Sequence, residues 1–217
     1  MGEEDWRGVC QDMKLTDGVF WPIPITVSAA QALADQIEIG EDVALLDGET
    51  QQIMAILTVE DKYSPDLTLQ CEKVFGTADE SHPGVAKVMA QPPVNLGGSV
   101  KVIEEGWFPS EFSELYIRPD EGRKMFEDMG WSKIAAFQTR NPMHRSHEYL
   151  VKIAIDVTDG VFIHQVLGKL KPGDIPAPVR VEAINAMIDN YFKDNIAVQA
   201  GYPIEMRYAG PREALFH

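Results

Sequence analysis

The sequence predicts an α/β protein in two parts, a β-rich stretch over 1–105 followed by a parallel-sheet region over 106–217. Three observations carry this. Asp47-Gly48 lies between two apolar runs, 42–46 and 51–59, the pattern of a β-hairpin. From 133 onward, short apolar runs alternate with helical patterns, which predicts parallel strands joined by right-handed crossovers. The charge is also lopsided: 1–132 holds 9 Lys/Arg against 25 Asp/Glu, whereas 133–217 holds 10 against 9.

In the first part, 19–27 (VFWPIPITV) is apolar but broken by Pro22 and Pro24, which suits an edge strand or a buried loop. The hairpin follows at 42–59. Residues 67–75 read as a short helix, 76–98 as a region of Gly, Pro and turn residues, and 100–104 as a strand. Residues 106–118 look like a connection, and 119–130 like a helix stopped by Gly130.

In the second part, 133–137 (KIAAF) is a short strand. The stretch 145–157 has apolar residues at helical spacing, Tyr149, Leu150, Ile153 and Val157. A second strand follows at 160–166 and a helix at 178–191, spaced by Val181, Ile184, Ile188 and Tyr191. A third strand follows at 196–200. In such sheets ligands sit beyond the carboxyl ends of the strands, where loops lead into helices.

Bulk properties exclude several classes. The chain has 217 residues, a net charge of −15 and two cysteines, Cys10 and Cys71, far apart. A disulfide framework or thiolate zinc site is not expected, and two free thiols point to a reducing, cytoplasmic setting. No run approaches the ~20 apolar residues of a membrane helix, and the acidic start MGEEDWRG is no signal peptide. An acidic surface repels phosphate backbones, so no nucleic-acid partner is expected. A small anion could still bind in the second part, where basic groups need only converge locally.

One such place is 138–147, QTRNPMHRSH, between the first strand and helix of the second part. A helix start offers unpaired N–H groups and a positive dipole end. Pro142 fits the loop or first turn, and His144 and His147, three apart, share a helix face. With Arg140 and Arg145 they could clamp the charge that grows during phosphoryl or nucleotidyl transfer. An isolated HxxH is equally explained by capping, surface or core histidines. A zinc site would need His164, which sits inside a strand, and the P-loop pattern is absent.

The same stretch resembles the motif Gln-x-Arg-Asn-Pro-x-His-x-x-His of the ATP sulfurylase (sulfate adenylyltransferase) family, at all six defined positions. LKPGDIPAPVR at 170–180 is similar to the family's Lys-Pro-Gly-Asp-Ile segment. MRYAGPREALFH at 206–217 is similar to another, with Phe216 in place of Trp. DGVFWPIPI at 17–25 and GWFPSEFS at 106–113 also match, so the resemblance spans nearly the whole chain.

The resemblance implies a PUA-like domain over 1–105 and a partial Rossmann-like nucleotidyltransferase domain over 106–217. The implied reaction converts ATP and sulfate to adenosine 5′-phosphosulfate and pyrophosphate, by direct attack of sulfate on the α-phosphate. Gln138 and Arg140 would bind sulfate. Thr139, Arg140 and Asn141 would position substrates and stabilise the α-phosphoryl group. His144 and His147 would stabilise the transition state and the departing pyrophosphate. ATP would meet Arg140, Asn141, Pro142, Met143, His144 and His147, and magnesium would arrive with it rather than in a protein-built cage. Lys169, Lys171, Arg207 and Arg212 are lesser candidates, each equally readable as a surface or packing cation. Asp174 could cap the turn that follows it.

The chain departs from the family pattern at both ends. Family members begin with a few dozen further residues, including Gly-Phe-Met before the region matching 3–15. They also carry Gly-Arg-Asp-His-Ala-Gly well beyond 217. The expectation is a catalytic domain lacking one wall of the ATP site, inactive alone, with a homo-oligomer or a complementing C-terminal chain as partners. The alternatives are another adenylyltransferase with a different acceptor, or a non-catalytic assembly module.

Overall fold

The computed structural model describes residues 1–168, 173–192 and 196–217. The chain divides into two compact units, Met1–Glu105 with Met206–His217, and Gly106–Glu205.

The first unit is built on a four-stranded antiparallel sheet. Its strands are β1 (Val27–Ala29), β2 (Asp42–Leu46), β3 (Ile53–Tyr63) and β4 (Val94–Val102), ordered β1-β4-β3-β2. The expected hairpin is β2–β3, but its connection is wider than a two-residue turn. Asp47 accepts from the backbone N–H groups of Glu49 and Thr50, and Gln51 takes a left-handed φ of 62°. Alternate residues of β3 point inward, and Leu57 and Val59 join Leu96, Ala34 and Ile37 in the core. Where β3 carries a bulge between Val59 and Asp61, β4 crosses it at Gly98. There φ is +149°, and a Cβ would lie 1.9 Å from the Thr58 carbonyl oxygen, so only glycine fits.

Four helices flank this sheet: α1 (Glu3–Asp12), α2 (Gln31–Ala34), α3 (Leu67–Phe75) and α4 (Pro83–Met89). Helix α3 matches the expected span, with Asp66 capping the Leu69 N–H at 2.9 Å and Gly76 left-handed after its last turn. Helix α4 lies inside the stretch read as turns. Pro83 opens it rather than breaking it, because the first helical position needs no N–H. Most of 19–27 is not strand, and β1 begins only at Val27.

The closing segment, read from sequence as part of the second domain, packs in the first unit. Helix α9 (Pro211–Phe216) sets Phe216 edge-on to Trp21, with ring centroids 5.9 Å apart.

The second unit begins with a short helix, α5 (Phe108–Glu111), in the expected connection, and α6 (Pro119–Asp128), after which Gly130 turns left-handed at φ 72°. Then β5 (Ile134–Thr139), α7 (Arg145–Ile155), β6 (Gly160–Val166), α8 (Ala177–Tyr191) and β7 (Ala197–Tyr202) form a parallel sheet in the order β5-β6-β7. Its core joins Val161 and Ile163 of β6 to Val151 of α7 and Ile184 and Met187 of α8.

The helix expected from periodicity over 145–157 is α7. Tyr149, Leu150 and Ile153 are exposed on α7 and Val157 is exposed beyond its end, whereas Val151 is buried, with Ala154 and Ile155 packed against the same core. The helix carries apolar residues on two faces, so spacing alone does not decide which one meets the sheet.

Candidate active site

The stretch 138–147 occupies the carboxyl end of β5 and the first turn of α7. Strand alternation sends neighbouring side chains to opposite faces of the sheet. Thr139 turns into the unit and is buried. Its hydroxyl accepts the Asn141 N–H at 3.1 Å and lies 3.1 Å from the Asn141 carbonyl oxygen, closing the loop on itself. Gln138, on the other face, donates its amide to the Tyr202 hydroxyl of β7. Tyr202 in turn lies against His164, with ring centroids 4.0 Å apart, and His164 against Phe162 at 5.0 Å. His164 is thus an aromatic neighbour of the Gln138 side of the loop.

Met143 is the loop's anchor. It is buried in the same core as Val151 and Ile163. Asn141 is exposed, Pro142 is half-buried, and Arg145 is exposed at the first helical position.

The two histidines cap the helix for each other. His144 is the N-cap, and its Nδ1 accepts from the Ser146 N–H at 3.4 Å. His147 sits three residues on, and its Nδ1 accepts the His144 N–H at 3.2 Å. This is the reciprocal capping box usually made by Ser and Glu. An imidazole that accepts at Nδ1 is neutral and carries its proton on Nε2. In that tautomer each ring, 4.1 Å from the other, would carry an Nε2–H donor at the helix start. Burial, and then the repulsion a protonated His144 would exert, hold the His147 pKa below the usual histidine value.

Arg140 is held at both ends. Its Nη2 meets both carboxylate oxygens of Asp174, at 2.9 and 3.0 Å, with both side chains about four-fifths buried. Its carbonyl oxygen accepts from Nη1 of Arg180 at 3.0 Å. Asp174 therefore pairs with Arg140. Arg180 and Tyr202 were not legible as site residues, because their contacts reach 40 and 64 residues along the chain.

Of the lesser candidates, Lys169 and Lys171 lie outside the described residues. Arg212 donates to the carbonyl oxygens of Val9, Cys10 and Pro22 at 3.0, 2.9 and 3.2 Å, tying the closing segment into the first unit. Arg207 gives its backbone N–H to Glu213 at 2.6 Å, and its guanidinium lies 6.0 Å from the Phe216 ring. Among the described residues, no three His, Cys, Asp or Glu are grouped to hold a metal ion, and no helix is long and apolar enough to cross a membrane.

Comparison with known proteins adds to this geometry. The PUA-like domain family model matches residues 1–105, and the ATP-sulfurylase family model matches residues 113–217. A sulfate adenylyltransferase of Pelodictyon phaeoclathratiforme is 61% identical over the whole chain, which spans 54% of that protein. Those of Chlorobium chlorochromatii and Syntrophobacter fumaroxidans are 60% and 57% identical, with 54% and 53% of their lengths spanned. The chain thus spans about half the length of these relatives. A solved structure described as a hexameric APS kinase from Thiobacillus denitrificans superposes on the whole chain and 38% of its own, with a TM-score of 0.69 and 26% identity.

Proposed function

Since the chain matches the ATP-sulfurylase family at high identity along its whole length, we propose that it carries the sulfate- and α-phosphate-binding part of a sulfate adenylyltransferase site. The observation that carries this reading is the reciprocal cap of His144 and His147 at the start of α7, in the same loop as Arg140.

In the proposed reaction a sulfate oxygen attacks the α-phosphorus of magnesium-bound ATP. The bond to the bridging oxygen breaks, and pyrophosphate leaves with that electron pair. Arg140 and the Gln138 amide hold the sulfate. Thr139 shapes the loop through Asn141, whose exposed amide reaches the α-phosphoryl group. His144 and His147 donate to oxygens on which charge grows, and neutral donors do so without binding the ground-state anion too tightly. ATP also contacts Pro142 and the Met143 backbone. Catalysis of this kind is positioning and charge stabilisation, with no covalent enzyme intermediate.

The reading extends to a cytoplasmic protein that assembles as an oligomer, in keeping with the relative described as hexameric. The first test is binding of sulfate and Mg-ATP by calorimetry to the purified chain and its Arg140→Ala variant. The second is pyrophosphate release with sulfate, without it, and with molybdate. Sulfate heats lost in R140A support the proposal. Binding unaffected by R140A, or turnover indifferent to sulfate and molybdate, points to another acceptor and overturns it.

A further inference from the structure

Arg180 is the largest fully buried side chain among the described residues, with 2% of its surface exposed. It lies in the first turns of α8, yet its hydrogen bonds leave the helix. Nη1 donates to the carbonyl oxygen of Val166, at the end of β6, at 2.7 Å, and to that of Arg140, beyond the end of β5, at 3.0 Å. One nitrogen therefore ties together the ends of two neighbouring parallel strands where the loops depart.

Stability does not account for this arrangement. Nε and Nη2 of Arg180 are buried without an acceptor among the described residues. Such donors cost folding free energy, and a buried guanidinium costs more. Burial holds its pKa below the arginine norm, with Asp174 opposing that shift and Arg140 adding to it. The Asp174 carboxylate thus acts on both guanidinium groups. What the arrangement supplies is a fixed position: Asp174 grips the guanidinium of Arg140 while Arg180 grips its backbone.

We propose that Arg180 and Asp174 are positioning residues that present Arg140 to a tetrahedral oxyanion in a single orientation. The proposal deepens the reading of Arg140 as the sulfate ligand and rests on it. Neither residue needs to touch the anion. Asp174 holds the Arg140 guanidinium through Nη2, and Arg180 holds the same residue through its carbonyl oxygen. Preorganisation of this kind lowers the ordering cost that binding would otherwise carry.

The test labels arginines of the 217-residue chain with phenylglyoxal and locates the adducts by peptide mass spectrometry, with exposed Arg7 as internal reference. Arg140, whose side chain is 22% exposed, labels slowly in the wild type. Arg180→Met and Asp174→Asn each raise the Arg140 rate by about tenfold relative to Arg7, whereas Arg180→Lys, which keeps a charged donor, stays within about twofold of wild type. Inorganic sulfate binding, measured by calorimetry, weakens about tenfold in R180M and D174N and largely recovers in R180K. If R180M does not fold, D174N reads the same coupling from the partially exposed side. Wild-type labelling of Arg140 in D174N and in every folded Arg180 variant overturns the proposal. If the wild type binds no sulfate while Arg140 labelling responds as described, the positioning stands and the assignment of the anion fails.

Discussion

The imidazole Nδ1 of His147 accepts the backbone N–H of His144 at 3.2 Å, so a residue read as a phosphate donor also closes the helix that aims it. The ring nitrogen in that bond is the one the proposed chemistry does not use. Structure and function therefore draw on opposite sides of one side chain, and substitutions can separate them.

Glutamine at 147 can still complete a capping box, whereas alanine cannot. H147Q is expected to keep the wild-type denaturation midpoint, and H147A to lose about 1 kcal/mol. Both lose the Nε2–H donor, which costs about 10²–10³ in rate for groups of this kind. Urea unfolding of the chain checks the first part. Pyrophosphate release from a sulfate adenylyltransferase relative substituted at the aligned histidine checks the second.

The lowered His147 pKa sets a direction for stability against pH. The unfolded ring takes up a proton at its ordinary value, near about 6.5, while the folded ring stays neutral to lower pH. Between the two values the unfolded state binds more protons, so stability falls as pH falls, and above the unfolded value the slope vanishes. His217, also held low by burial, adds a slope of the same sign. Denaturation midpoints measured from about pH 7 down to 5 should decline less steeply in H147Q than in wild type. Identical slopes would remove His147 from the account.

Arg212 is expected to be structural in the first unit. Its three charge-assisted bonds to carbonyls go unanswered in Arg212→Ala, a loss of about 3 kcal/mol. Arg212→Lys, lacking the fork, should fall between. Chemical denaturation followed by tryptophan fluorescence, with Trp6 and Trp21 in that unit, reports it directly.

Both cysteines are expected to be inert in the folded chain. Burial pushes the Cys10 thiol up to about 12, and the Cys71 thiol also rises, so neither supplies thiolate near neutrality. A colorimetric thiol titration should find almost none at pH 8 without denaturant and both in guanidinium. Fast reaction of either under native conditions would show that the α1–α3 packing opens readily.

Much of the architecture was legible because its signals are local. Asp47-Gly48 between apolar runs marked β2–β3, and alternating strand and helix patterns marked β5 through β7. Helix α4 was not legible, since Pro83-Gly84 reads as a turn until the structure puts Pro83 at a helix start and Gly84 where a Cβ would lie 2.4 Å from the Arg207 carbonyl oxygen. Nor was α1, whose acidic first turn and few apolar residues give a weak pattern.

What the sequence by itself determined is the loop: its residue types, its place between a strand and a helix, and its resemblance to a sulfate-activating family. These follow from contiguous residues, where spacing along the chain equals spacing in space. Tertiary structure decided how each residue is used. It sent Thr139 and Met143 inward as supports, turned the histidines into mutual caps, and brought Asp174 and Arg180 onto Arg140 from 34 and 40 residues away. It also chose which apolar face of α7 meets the sheet. Such pairings are set by the register of parallel strands and the helices crossing between them, and one-dimensional spacing carries no record of which distant residue will stand opposite.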